Sequence, residues 1–330
     1  MKPARGVAFL AFMAALLSIE GGAAFSQADA PAPSFGYGSS VYVWNDEVRA
    51  LSLSGVDLVP GMSARSGVFL VAYDKRAARV YSIDRSGGVR TLASTSAFAM
   101  YFSERRFLEV SLFDAGKGFL FRSGTYRPEG GTRAWVVERV FHLDCFVASV
   151  AFGPHGIFLA GADSGDREHT LYFIPDGESA PRVVARVPKR SDFARLLIAG
   201  DTLYMCFSSA RTERRRETIT MATLDGRYLS EASLDGGELA CVYGSPFVAG
   251  RSLFVPWADG RGNVAFMEYG LGGKPEPLSR WPGAGVYHVA EGRADGATLF
   301  VGYDPRDSAR IAAAYVRSPD GTLRRYELVP

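Results

Sequence analysis

The chain has 330 residues, 47% hydrophobic and 22% charged, a globular composition with length for one large domain or two smaller ones. Its 37 glycines and 17 prolines exclude a long uninterrupted helix. The 37 basic and 35 acidic side chains leave a net +2, too little for a nucleic-acid binder driven by overall charge.

Lys2 and Arg5 open the sequence, and Gly6 to Ile19 then run without a charge until Glu20. As a helix that run reaches about 21 Å at 1.5 Å per residue, short of the roughly 30 Å hydrocarbon core of a bilayer. Residues 1–28 therefore read as a signal peptide, with small residues for cleavage after Ser26 or Ala28. The expected location is periplasmic or secreted, without stable membrane insertion after cleavage. Residues 29–36 read as a short linker and 37–330 as a single domain. The three cysteines, Cys145, Cys206 and Cys241, lie in apolar stretches and are expected as small buried hydrophobes. One disulfide with a free thiol is the alternative in an oxidising compartment. No Cys-x-x-Cys pair supports a redox motif or structural zinc.

Short apolar runs closed by a polar turn recur: Val68 to Asp74, Phe107 to Asp114, Ile157 to Asp163, Leu203 to Ser209, Leu253 to Asp259 and Leu299 to Asp304. Their ends are separated by 40, 49, 46, 50 and 45 residues, a period of about 46. After each run comes a second β-rich segment ending in a glycine turn, such as residues 79–83 before Asp84, or 219–224 before Asp225-Gly226. A third follows that turn (89–92, 182–187, 323–328), and a fourth, rich in Ala and Val, precedes the next run (146–152, 193–199, 286–290). Aromatic and β-branched residues with turn residues every eight to twelve positions indicate strands, not a helical solenoid. Four short strands at a period in the forties predict an all-β β-propeller of four-stranded antiparallel blades. Seven blades are expected, the first compressed into Val41 to Asp46, Val48 to Leu53 and Val56 to Val59. Six blades plus an N-terminal hairpin is the alternative.

Residues 81–89 read apolar-Asp-x-x-Gly-apolar, a form common in the outer hairpins of secreted bacterial β-propellers, which the chain resembles over nearly all its mature length. That resemblance stays at the level of the superfamily. The Trp-Asp dipeptide of WD repeats is only approached by Trp257-Ala258-Asp259, and no kelch glycine pair or sialidase Asp-box recurs. Trp44, Trp135, Trp257 and Trp281 share no blade position, unlike the tryptophans of quinoproteins. Propellers of this kind include binding scaffolds, lactonases and assembly factors, so the fold does not choose the function.

Catalytic motifs are scarce. No Gly-x-Ser-x-Gly, His-Glu-x-x-His, P-loop or Gly-x-Gly-x-x-Gly sequence occurs, and no catalytic or metal-ligating set is assigned. His142 and His155 read as surface or turn residues, and His288, in an expected innermost strand, is the candidate to face a central channel. Asp163 to His169 holds three carboxylates, yet Arg167 sits among them and the spacing is that of no calcium loop, so a solvated turn is favoured.

In a four-stranded antiparallel blade, the connection after strand two emerges at the same end as the connection between blades. The loops closing the runs therefore share a face. Its candidate partner-binding residues are Asp74, Lys75, Arg76, Asp163, Asp166, Arg167, Arg211, Arg214, Arg215, Arg216, Asp259, Arg261, Asp304 and Arg306. Aspartate at such turns has a purely structural reading, since its side chain accepts local backbone hydrogen bonds. The functional reading sets acceptors beside arginine donors that suit a protein or a polar, acidic ligand of the cell envelope. An exported, non-catalytic binding or assembly scaffold without cofactor is the expectation, with no nucleic-acid partner. A hydrolase-like or lactonase-like propeller enzyme, with a metal or substrate site at the channel mouth, is the alternative.

Overall fold

The computed structural model describes residues 34–37, 39–45, 47–84, 86–112, 118–163, 168–188, 193–208, 217–234, 241–242, 246–249, 252–258, 264–271, 275–282, 286–292, 298–304, 307–318 and 322–327. They fall into two compact units, one of residues 34–143 and one from residue 144 onward. Among the described residues every regular element is a β-strand, and no helix is long and apolar enough to cross a membrane.

Among the described residues the first unit holds three antiparallel sheets, each in chain order. The first is β1 (Ser34–Tyr37), β2 (Ser40–Asn45) and β3 (Glu47–Ser52). The second is β4 (Leu58–Ser66), β5 (Phe69–Asp74), β6 (Arg79–Ile83) and β7 (Val89–Ser94). The third is β8 (Ala99–Phe102), β9 (Arg106–Leu112), β10 (Phe119–Tyr126) and β11 (Trp135–Leu143). Among the described residues the second unit holds four sheets. They are β12 (Cys145–Gly153), β13 (Gly156–Asp163), β14 (Glu168–Pro175), β15 (Arg182–Pro188); then β16 (Phe193–Ala199), β17 (Thr202–Ser208), β18 (Glu217–Thr223), β19 (Tyr228–Leu234). In the next, β20 (Cys241–Val242) and β21 (Phe247–Ala249) both pair with β22 (Ser252–Ala258), followed by β23 (Val264–Gly270) and β24 (Glu276–Pro282). The last is β25 (Val286–Gly292), β26 (Thr298–Asp304), β27 (Asp307–Arg317) and β28 (Leu323–Glu327).

Five of the six apolar runs are the second strand of a four-stranded sheet, and the sixth is β22, which pairs on one side with the two short strands β20 and β21. β5 is buried almost throughout, because both of its faces are covered, whereas β7 and β19 are largely exposed. A strand covered on both sides reads as a continuous apolar run and loses the alternation of a half-exposed one. First strands of successive sheets touch: β4 with β8 in the first unit, and β12, β16, β21 and β25 in turn in the second.

The third and fourth strands are joined through a recurrent bulge. The extra residue lies on the fourth strand in five sheets: Leu92, Glu138, Val184, Leu229 and Leu278. A bulge sharpens the local twist and turns the outer strand away from its neighbours. Gly124 of β10, opposite the bulge in β11, cannot be replaced freely, since a Cβ there would lie 1.9 Å from the Val136 carbonyl oxygen.

The first sheet differs from the expected compressed blade. β1 begins at Ser34, inside the stretch read as a linker. Residues 56–59 are no strand of this sheet, because residues 53–57 cross to β4 instead. Leu53 N donates to Ser39 O at one end of the sheet (2.6 Å), and Asp57 N reaches the Asp74 carboxylate at the other (3.0 Å). Leu53, Val56 and Leu58 are buried in one cluster with Val41, Leu70, Ala72, Tyr81 and Ile83. The crossing segment thus covers apolar surface over the length that a fourth strand would occupy.

Of the three cysteines, Cys145 and Cys206 are buried free thiols, as the first of the two expectations has it, and the Cys241 side chain lies outside those described. Burial pushes the Cys145 thiol up to about 11 and raises that of Cys206 as well, so both act as small hydrophobes.

Candidate functional site

The turn from β5 to β6 is the fully described example of the run-closing loops. Asp74 is only 1% exposed. Its Oδ1 accepts from Ala77 N at 2.8 Å and its Oδ2 from Asp57 N at 3.0 Å. Both carboxylate oxygens are thus engaged by backbone, one closing the turn and the other fastening the crossing segment. This corrects the expectation of Asp74 as an acceptor displayed to a partner. Lys75 and Arg76, next in sequence, are exposed. Ala78 ends the turn at φ 52°, a left-handed conformation uncommon outside glycine, and its carbonyl accepts from Thr95 N at 2.9 Å.

The connection from β7 to β8 lies at this same end. Tyr73 donates its hydroxyl to Thr95 O (3.2 Å) and Ala97 O (3.0 Å). Burial first, then the negative charges of Glu109 and Asp74, push its phenol up to about 12, so it stays a neutral donor. The Lys75 ammonium stands 5.1 Å from the centre of the Phe98 ring. Phe98 in turn lies 6.1 Å from Phe119, the cross-strand neighbour of Leu112. Glu109 is buried and meets Arg122 Nη1 at 3.2 Å, so a cation offsets its charge.

Turns between third and fourth strands lie at the opposite end of their sheets and repeat one closure. Asp84 N donates to Gly88 O, Thr223 N to Arg227 O and Ser318 N to Thr322 O, at 2.8–3.0 Å. Hydrogen bonds from the Ser86 hydroxyl and then the Gly88 amide hold the Asp84 carboxyl below the usual carboxylate range; the Thr223 hydroxyl does the same for Asp225.

Asp163 and Asp304 close β13 and β26 as Asp74 closes β5, so the three occupy equivalent backbone positions. Asp166, Arg167, Arg211, Arg214, Arg215, Arg216, Asp259, Arg261 and Arg306 lie outside the described residues. His288 falls on the first strand of its sheet, at a register shift between Tyr287 and Val289. The carboxylate-rich loop is shorter than the sequence implies. Glu168 and His169 belong to β14, and His169 is fully buried between Ala162 and Val187 in the sheet. His142 and His155 are exposed, on an outer strand and in a turn, as expected. Among the described residues no three His, Cys, Asp or Glu side chains gather as a metal site would require. Nothing in the sequence sets Phe98, Leu112 and Phe119 apart beyond the positions of Leu112 and Phe119 on either side of residues 113–117.

These sheets, with their chain-order topology, define an all-β protein of the β-propeller fold. No protein-family model matches the chain, and no curated protein matches it in sequence. Among solved structures it is similar to a putative 6-phosphogluconolactonase from Bacteroides uniformis, at 15% identity and a TM-score of 0.56, over 87% of this chain and 90% of that one. It is similar also to virginiamycin B lyase from Staphylococcus aureus, at 12% identity and a TM-score of 0.51, over 81% and 84%. A prolyl endopeptidase matches 97% of this chain with 51% of its own, at 12% identity and a TM-score of 0.56. At such identities the likeness is one of fold.

Proposed function

We propose that the protein is an exported seven-bladed β-propeller, periplasmic or secreted, that holds an acidic partner on its run-closing face and performs no chemistry of its own. The observation that carries this reading is the 74–78 turn, where aspartate turns inward to fasten backbone while Lys75 and Arg76 stay exposed. The same Asp-then-cation order recurs at residues 163–167, 259–261 and 304–306, and Arg211 to Glu217 adds four arginines against two glutamates. If each aspartate serves its own turn, the face presents a cationic surface, suited to carboxylates or phosphates. The second reading, a lactonase-like or hydrolase-like enzyme with His288 at a channel mouth, draws on the fold shared with the putative lactonase. Stoichiometric metal in the purified protein would favour it.

The test is binding of a short Asp–Ser peptide. Replacing Arg211, Arg214, Arg215 and Arg216 with serine is expected to weaken binding by about fivefold or more, with wild-type binding itself falling as salt rises. Lys75→Glu with Arg76→Glu is expected to act likewise, whereas Arg227→Ser, at the opposite end of its sheet, should change nothing. Surface substitutions usually shift stability by no more than about 0.5 kcal/mol each, so the fold is expected to survive. Equal binding by all three variants would reduce the pattern to turn chemistry. Export has its own test: N-terminal sequencing should find the mature chain beginning after Ser26 or Ala28, and an intact Met1 on exported material would refute cleavage.

A further inference from the structure

We infer that the rim of the first unit beside Lys75 seats an acidic protein segment that carries an apolar side chain. This rests on the acidic-partner reading of the run-closing face and names the class of that partner. Leu112 is 66% exposed, more than any other large hydrophobic residue among those described. Isolated exposed apolar residues are ordinary and need no explanation. Leu112 is not isolated. It pairs across the sheet with half-buried Phe119, whose ring meets half-buried Phe98 at 6.1 Å, and Phe98 carries the Lys75 ammonium 5.1 Å from its ring centre. The row therefore runs cation, aromatic, aromatic, aliphatic, with Arg76 exposed beside its charged end.

Charge selects the occupant. Two exposed cations border the row; of the two buried carboxylates close by, Glu109 is paired with Arg122 and Asp74 is turned inward onto two backbone amides, so the charge exposed at this end of the row is that of Lys75 and Arg76. The apolar half selects further. An acidic glycan would engage Lys75 and Arg76 but would find the Phe98 ring already carrying a cation, and would gain little from an aliphatic Leu112. A peptide with carboxylates beside a Leu or Phe can satisfy both halves, in the usual arrangement of an apolar contact bordered by charge.

The full chain is tested with three probes: a short peptide alternating Asp with Leu and Phe, the Asp–Ser peptide of equal length, and polygalacturonate. The Asp–Leu–Phe peptide is expected to bind about tenfold more tightly than the Asp–Ser peptide. Leu112→Ser should abolish that preference while leaving Asp–Ser affinity unchanged; because Leu112 is exposed, its unfolding midpoint should match wild type. Equal affinity for the two peptides, or a preference that survives Leu112→Ser, overturns the inference. If the Asp–Ser peptide still binds and still responds to Lys75→Glu, the cationic face stands without its apolar contact. Binding of polygalacturonate with neither peptide bound makes the partner a glycan and also overturns it. Binding of no probe removes the cationic face and this inference together.

Discussion

A carboxylate that accepts two backbone amides at 1% exposure is part of the fold before it is part of any site. Asp74 joins points seventeen residues apart, since one oxygen serves its own turn and the other serves Asp57. Hydrogen bonds to a charged acceptor are each worth about 1.5–3 kcal/mol, and a buried amide left without one adds its desolvation cost. Asp74→Ala is therefore expected to destabilise the protein by about 2–4 kcal/mol, read as a lower denaturant midpoint. Lys75→Ser should cost less than about 1 kcal/mol, the scale of an exposed cation–π contact. If Asp74→Ala left the midpoint unmoved, the carboxylate would not anchor the turn, and its role as a partner contact would return. Sequence order made Asp74, Lys75 and Arg76 visible as a group. It did not separate them, because the amide that draws Asp74 inward comes from a segment whose path depends on how the first sheet ends.

At the scale of the element, legibility followed burial. The described residues of β5, β13 and β17 are mostly buried, so nearly every residue is apolar and the runs stand out at a regular period. Fourth strands were harder. The bulge places Leu229 and Leu278 out of step with their neighbours, at 50% and 63% exposure, and a one-residue offset reverses the face of every later side chain. β1, Ser-Phe-Gly-Tyr beside a proline-rich stretch, is short and contains a glycine, and so read as linker. The rim residues escaped for another reason. Phe98, Leu112 and Phe119 sit on different segments, each with an adequate role as a strand residue, and only the register of β9 against β10 brings the last two together. His169 sits in β14 and not in the loop for a similar reason, since loop and strand composition do not differ across residues 163–169.

Across the molecule, the sheets depend on one another for their cores. In the second unit, one face of the β22 sheet contributes Leu253, Val255, Trp257, Ala265 and Tyr269 to a cluster with Leu197, Tyr204, Cys206, Ile219 and Met221 of the preceding sheet. The strand alternation sends Phe254 and Phe266 to the other face, where Phe247 stacks on Phe254 at 5.0 Å and meets Phe266 edge-on at 5.6 Å. All three are buried, and β21, which carries Phe247, contacts β25 of the last sheet. Ending the chain at residue 284 removes β25–β28, including the strand that contacts β21 beside Phe247, and is expected to uncover this aromatic trio. Each such ring buries roughly 150–250 Å², so the exposed patch would approach the largest that soluble monomers tolerate. Stacked sheets draw much of their stability from interfaces with their neighbours. The 1–284 fragment is accordingly expected to aggregate or to unfold without a cooperative transition, whereas the full chain unfolds sharply; size-exclusion chromatography and a denaturant titration distinguish the two. Phe254→Ala in the full chain supplies the graded control, with an expected loss of about 3–5 kcal/mol for a buried phenylalanine. A monomeric fragment with the midpoint of the full chain would show that the last sheet covers nothing the others need.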